Sequence, residues 1–332
     1  MIIEIKSEVF EDSAELGKIK YLLQLCFYKN RYSLYTDYTL ISGFQNFKAL
    51  DPIDQELIVE SFNSGIQGGS ENADISICKN SDAVNFCTDE AIKFLNQPVS
   101  IILENSLNDS YFFNSTITHF DSSLEIERHL ENNWIQFDNA GGATNIRNLI
   151  DGKLNSFASW PKRNKKRYLR CFVIFDSDKT GPNKDLKEDK LACQKYLEHN
   201  EIIHHILNKR EMENYLPDEV VSSIADPYLR QYLKLSTIQK DYFDIQNGLK
   251  KNRSDRNNDQ ELLDLFADLS DQEWIVLKTG LKVTPYDKSF KSEFPKLFKS
   301  SLVNKTNLIN RLGTHTKPNE FEQIVNKTLS LL

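Results

Sequence analysis

Two aspartates stand one residue apart in CFVIFDSDKTG, where Asp176 and Asp178 directly follow the apolar run Phe172 to Phe175. Glu104 has the same relation to Ile101, Ile102 and Leu103 in IILENSLNDS, with Asp109 five residues on, and Glu213 follows the apolar stretch EIIHHIL in NKREMENYLP. An acid at the exit of a buried strand lies where open α/β sheets gather ligands, because loops at the carboxyl ends of parallel strands face a crevice. Asp-x-Asp there is open to several chemistries. A calcium loop of the EF-hand type requires a bidentate Glu at its twelfth position, and counting from Asp176 that position is Lys187. A strand also precedes the pair where an EF-hand has a helix, so that chemistry is set aside.

The elements that must position these acids follow from periodicity. From Pro98 onward, VSIIL reads as a strand, DSYFFNSTITHF as a helix, NWIQFDNAGG as a strand and turn, and ATNIRNLIDGKLNSF as a helix. CFVIFDSD, DLKEDKLACQKYLEHN and EIIHHIL continue the alternation as strand, helix and strand. Strands alternating with helices imply right-handed crossovers and a parallel sheet, so the fold class is α/β. Residues 1–98 form a mixed α/β region with helical periodicity in ELGKIKYLLQLCFY and TDEAIKFLNQ and a polar stretch, NSGIQGGSENAD, that reads as a loop. Residues 99–217 are the expected catalytic domain. Residues 218–332 turn helical and charged, with an exposed linker expected in GLKKNRSDRNNDQELLDL, and are expected to form a separate helical lobe.

Composition narrows the class. At 332 residues with 39% apolar and 27% charged residues, the chain can bury a sizeable core. No apolar run approaches the roughly 18 residues needed to span a bilayer. The opening MIIEIKSEVFEDS carries acids early and lacks the basic start of a secretory signal, and none of the five cysteines forms a Cys-x-x-Cys pair. A cytoplasmic location is expected. Net charge is −7, yet WPKRNKKRYLR concentrates Lys162, Arg163, Lys165, Lys166, Arg167 and Arg170 beside two aromatics. That run is either a solvated loop or a patch for the phosphate backbone of a nucleic acid.

Two families compete for DSDKTG. Asp176, Asp178 and Thr180 meet the Asp-x-Asp-x-Thr of haloacid-dehalogenase-type phosphatases, but there the nucleophile belongs to the first strand and a later strand supplies a second acidic pair, which this chain lacks. The order of Glu104 after a first strand, Gly141 and Gly142 after a second, and Asp176 and Asp178 after a third resembles the toprim domain. Arg210, Glu213, Asn214 and Tyr215 resemble the Arg-x-x-Glu-Asn-Tyr-Leu signature that follows the fourth strand in nucleases of the overcoming-lysogenization-defect (OLD) type. The resemblance covers about residues 100–217. Asn105 stands where that family usually has Gly, and Asp109 lies five residues beyond Glu104 instead of four.

The resemblance implies a metal-dependent endonuclease cutting DNA or RNA, transfer RNA included, with Glu104, Asp176, Asp178, Glu213 and Asp109 around two magnesium or manganese ions. Two hard cations roughly 3.5–4 Å apart hold both the attacking and the leaving oxygen of a phosphodiester, and carboxylates are the oxygen donors they prefer. Without a cation, carboxylates about 4 Å apart repel by about 4 kcal/mol at an effective dielectric near 20. Glu104 is then base or bridging ligand, and Asp176 and Asp178 hold metal. Implied partners are the nucleic-acid substrate, a second copy of the chain and a separate ATPase subunit, since no Walker-type sequence is present. The implied role is effector of a bacterial antiviral defence system. A noncatalytic module keeping the toprim fold is the alternative from another class. His204 and His205, inside an apolar strand, are expected to be structural.

Overall fold

Short apolar segments form eight strands in the computed structural model, which describes residues 1–68, 73–160, 165–255, 259–312 and 319–332. The chain divides into two units, each with its own four-stranded parallel sheet. No helix among the described residues is long and apolar enough to cross a membrane.

The first unit comprises residues 1–99, 152–170 and 330–332. Its strands β1 (Ile2–Ile5), β2 (Ser33–Tyr35), β3 (Ile75–Cys78) and β4 (Phe86–Cys87) lie in the order β2-β1-β3-β4, with Ile3 beside Ile75 and Leu34. Ile3, Ile5, Leu22, Ile58, Ile77 and Leu95 fill the core. Helix α1 (Thr88–Asn96) buries Ala91, Phe94 and Leu95 and turns Lys93 outward near its end. The stretch expected to be a loop is helical through Gly68, within Pro52–Gly68, and residues 69–72 lie outside the described ones. Residues 152–170 join this unit because Phe157, Trp160 and Tyr168 pack edge to face within its core.

The second unit comprises residues 100–151 and 171–329. Strands β5 (Val99–Leu103), β6 (Ile135–Asn139), β7 (Cys171–Phe175) and β8 (Ile203–Ile206) take the order β6-β5-β7-β8. Ile101 pairs with Phe172 and Val173 with His204, both in parallel. All five residues of β5 and of β7 are buried, as continuous apolar runs are when helices cover both faces of a parallel sheet. Strand order makes β5, β7 and β8 consecutive neighbours, so the acids at their ends emerge side by side. Helices α2 (Ser106–Phe120), α3 (Ala143–Ser156) and α4 (Glu188–His199) follow β5, β6 and β7.

The separate lobe expected over residues 218–332 is not formed. Phe298 and Phe321 pack on Phe112 of α2 at ring distances of 5.6 and 6.0 Å, and Tyr215 packs on Phe112 at 5.1 Å. Beneath the end of β8, Asp241 accepts hydrogen bonds from Lys209 and Arg311, each at 2.6 Å. The later helices, including α5 (Tyr286–Glu293) and α6 (Glu320–Leu329), therefore complete the core of the second sheet. Removing them would leave a buried cation and a set of aromatic faces without partners.

Candidate metal centre

Glu104 leaves β5 with its backbone already held. Its carbonyl oxygen accepts the N–H groups of Gly141 and Gly142 at 2.9 and 3.2 Å. Those glycines have φ of +71° and +112°, conformations that side chains with a Cβ rarely adopt, so the turn after β6 can fold over Glu104 only with glycine there. The Glu104 carboxylate accepts the N–H of Asp176 at 3.2 Å and pairs with the ammonium of Lys190. It caps no helix.

The other acids are tied to the same place by backbone bonds. Asp176 accepts the N–H of Met212 at 3.0 Å, which links the exit of β7 to the turn after β8. Asp178 sits at φ +53°, a left-handed conformation that Asp tolerates better than most residues, and its N–H donates to the Arg210 carbonyl at 2.9 Å. Asp109, in the first turn of α2, accepts the N–H of Asn105 at 2.8 Å. Glu213 lies in the short Met212–Tyr215 turn. Asn214, fully buried, anchors that turn by donating to the carbonyls of Lys240 and Phe243 at 2.8 and 2.9 Å. Tyr215 donates to Glu320 at 2.5 Å. In this turn Asn214 and Tyr215 are anchors, and Glu213 is the member left to face the cavity. Arg210, three residues before Glu213, pairs instead with Glu211 and Asp244 at 3.3 and 3.2 Å.

Glu104, Asp109, Asp176, Asp178 and Glu213 all line one cavity of about 480 Å³. Asn105 lines it too, as do Glu211, Asn108, Asn139 and Lys291, which were not singled out from sequence. Nor was Lys190, which is 2% exposed and also stands 3.3 Å from Asp178. Its signal was available. Lys190, Cys193 and Leu197 are spaced by three and four residues on the buried stripe of α4, where a lysine needs an acidic partner. The motif residue Thr180 instead lines a neighbouring cavity and donates to Asp259 at 3.4 Å.

Crowding raises the proton affinity of these acids. Burial, and then the charges of Glu213, Glu104 and Asp109, hold Asp176 well above the usual carboxylate range. Burial and Glu211 push Glu213 up to about 8, and burial with Glu104 pushes Asp109 up to about 6 despite the Asn105 N–H. Glu211 is raised by burial and by Asp244 and Asp178, against the pull of Arg210. Burial works against the charge of Lys190, yet Glu104 and Asp178 raise it above an ordinary lysine.

Among the described residues, no three His, Cys, Asp or Glu side chains converge closely enough to hold one metal ion. The donor set still fits a hard divalent cation in kind. Six carboxylates face one cavity, four of them held toward their protonated forms by burial and by one another's charge, and Lys190 pairs with Glu104 and Asp178.

Of the basic run, Arg167 and Arg170 are committed to the interior of the first unit. Arg170 is 4% exposed and donates to the Tyr32 hydroxyl and to the carbonyls of Gln97 and Leu331 at 2.6, 3.2 and 2.9 Å. Arg167 lies 3.9 Å over the Phe86 ring and donates to the carbonyls of Asp82, Ala83 and Val84. Both are corrected from phosphate contacts to structural cations. Lys165 and Lys166 are half-buried, and Lys162 and Arg163 lie outside the described residues. His205, 5% exposed, meets Glu320 at 2.8 Å, a structural role as its place in an apolar strand implies.

No protein-family model, no curated protein and no solved structure matches this chain.

Proposed function

We propose that the carboxylate cavity of the second unit is a magnesium- or manganese-dependent phosphodiesterase centre and that the chain is an endonuclease of toprim type. The observation that supports this most is the convergence of Glu104, Asp176, Asp178 and Glu213 from the ends of three adjacent parallel strands on one cavity. Glu104, Asp176, Asp178 and Glu213 would hold the cations, with Asp109 at the same wall. When bound, such cations supply Lewis-acid stabilisation of the charge that develops on the phosphate. Asp176 is fixed by the Met212 N–H, and Glu104 by the glycine turn, so neither must be organised when substrate arrives. Lys291, on the cavity wall, is placed to meet a phosphate oxygen. The family resemblance adds an antiviral effector role with a separate ATPase.

A noncatalytic module that keeps the fold is the second reading, and one observation favours it: Lys190 already neutralises part of the cluster. Cleavage of labelled single-stranded and duplex DNA and RNA separates the two. The nuclease cuts with magnesium, stops with EDTA, and loses at least about a hundredfold in rate in Asp176→Asn, the scale expected for removing charge stabilisation at a reacting phosphate. Equal cutting by wild type and Asp176→Asn, or none under any condition, rejects it. Hydrolysis of a phosphate monoester that survives Glu104→Gln would favour the phosphatase chemistry instead.

A further inference from the structure

Beside the carboxylate cavity lies a second one of about 310 Å³, within the range of small-ligand sites. Its floor is apolar, with Phe243, Leu249, Leu262 and Phe266, and Lys187 and Lys250 stand at its rim. No residue lines both cavities, but close neighbours in sequence do. Asp178, Glu211 and Gln246 line the first, while Thr180, Arg210 and Asp244, their near neighbours in sequence, line the second. Both rim lysines are more than half exposed, Lys187 at 4.0 Å from Asp178 and Lys250 at 3.0 Å from Asp244. The long, exposed Lys187 pair contributes little, and buried Asp244 keeps Arg210 at 3.2 Å when Lys250 turns to an incoming phosphate.

We infer that this second cavity takes one unpaired nucleotide of the substrate, its base against the apolar floor and its phosphate toward Lys187 and Lys250. An apolar surface beneath a cationic rim is how single strands are held without sequence readout, because every base has an apolar face and every linkage a charge. The volume admits a single nucleotide and no base pair, so the substrate class is single-stranded or locally unpaired nucleic acid. This deepens the nuclease proposal and rests on it for the identity of the neighbouring site.

Titration of adenosine monophosphate into the full chain in EDTA tests it, with inorganic phosphate as control. The nucleotide should bind at least about tenfold more tightly than phosphate, since stacking on an apolar face is worth about 1–3 kcal/mol per base. Leu262→Trp, which fills the cavity, should weaken nucleotide binding by about tenfold or more, and Lys250→Ala, at an exposed rim position, by severalfold. If Leu262→Trp does not fold, Lys250→Ala still decides. A nucleotide that binds no better than phosphate, or equally in wild type and Lys250→Ala, overturns the inference. Failure of the nuclease reading is seen separately: nucleotide binding that follows these variants, with cleavage that ignores Asp176→Asn, leaves the cavity a nucleotide site and removes the nuclease.

Discussion

At position 190 a lysine takes a place on α4 whose periodic neighbours are Cys193 and Leu197, so its ammonium is directed inward and meets Glu104 and Asp178. The remaining acids of the cavity are more deeply buried and crowded by one another, and hold protons more tightly than usual. Their proton affinity sets the sign of a pH effect. Glu213, pushed up to about 8, and Asp109, pushed up to about 6, keep protons in the folded chain at pH values where the unfolded chain has released them. Stability is then full below the ordinary carboxylate range and falls as pH rises toward the folded values. In EDTA, the melting temperature should fall between about pH 5 and about pH 8, and Glu213→Gln should flatten that fall. Magnesium should restore stability most at the upper end, where the carboxylates bind it unprotonated. A melting temperature that rises across this window in EDTA would contradict the assignment of protons to these acids.

Elements differ in how openly the sequence announces them. β5 and β7 are buried, largely apolar runs that end in acids, and β8, with two histidines between isoleucines, ends in a turn signature, a local pattern, and the acids stand where it places them. β1 to β4 are two to four residues long, too short for periodicity to show, and what makes them a sheet is pairing between segments such as Ile3 and Ile75, 72 residues apart. Arg167 and Arg170 of the basic run differ from the sequence reading for the same reason. Six cations in nine residues read as surface, but the acceptors of Arg170 come from Tyr32, Gln97 and Leu331, which nothing local reveals. Arg170→Ala should therefore destabilise the chain by about 1–3 kcal/mol, the cost of leaving buried acceptors unmet, with little change in the salt dependence of nucleic-acid binding. Thermal denaturation together with binding at several salt concentrations checks this. Unchanged stability with a shallower salt slope would return Arg170 to the phosphate patch.

On the scale of the molecule, the second unit is a sheet ending at Ile206 whose core is completed by helices as far along the chain as Glu320–Leu329. A chain of residues 99–217 alone would lack Asp241, Arg311, Phe298 and Phe321 together. Stranding a buried cation such as Lys209 costs about 3–5 kcal/mol, and each lost aromatic contact face adds about 1.5–3 kcal/mol. Set against a total stability of about 5–15 kcal/mol, these losses leave no folded sheet, so the truncated chain should show no cooperative melt by circular dichroism. A sharp transition would restore the independent domain expected from sequence. The same assembly is what brings Glu104, Asp176, Asp178 and Glu213 to one cavity from strands that begin at Val99, Cys171 and Ile203. Whether that cavity is a cation site, or a cluster balanced by protons and Lys190 alone, is read most directly from calorimetric titration of manganese into wild type and Asp176→Asn. Wild type should bind manganese saturably, with magnesium competing, and Asp176→Asn should bind at least about tenfold more weakly. Equal binding by the two chains, or no saturable binding by wild type, would contradict a metal centre at these carboxylates.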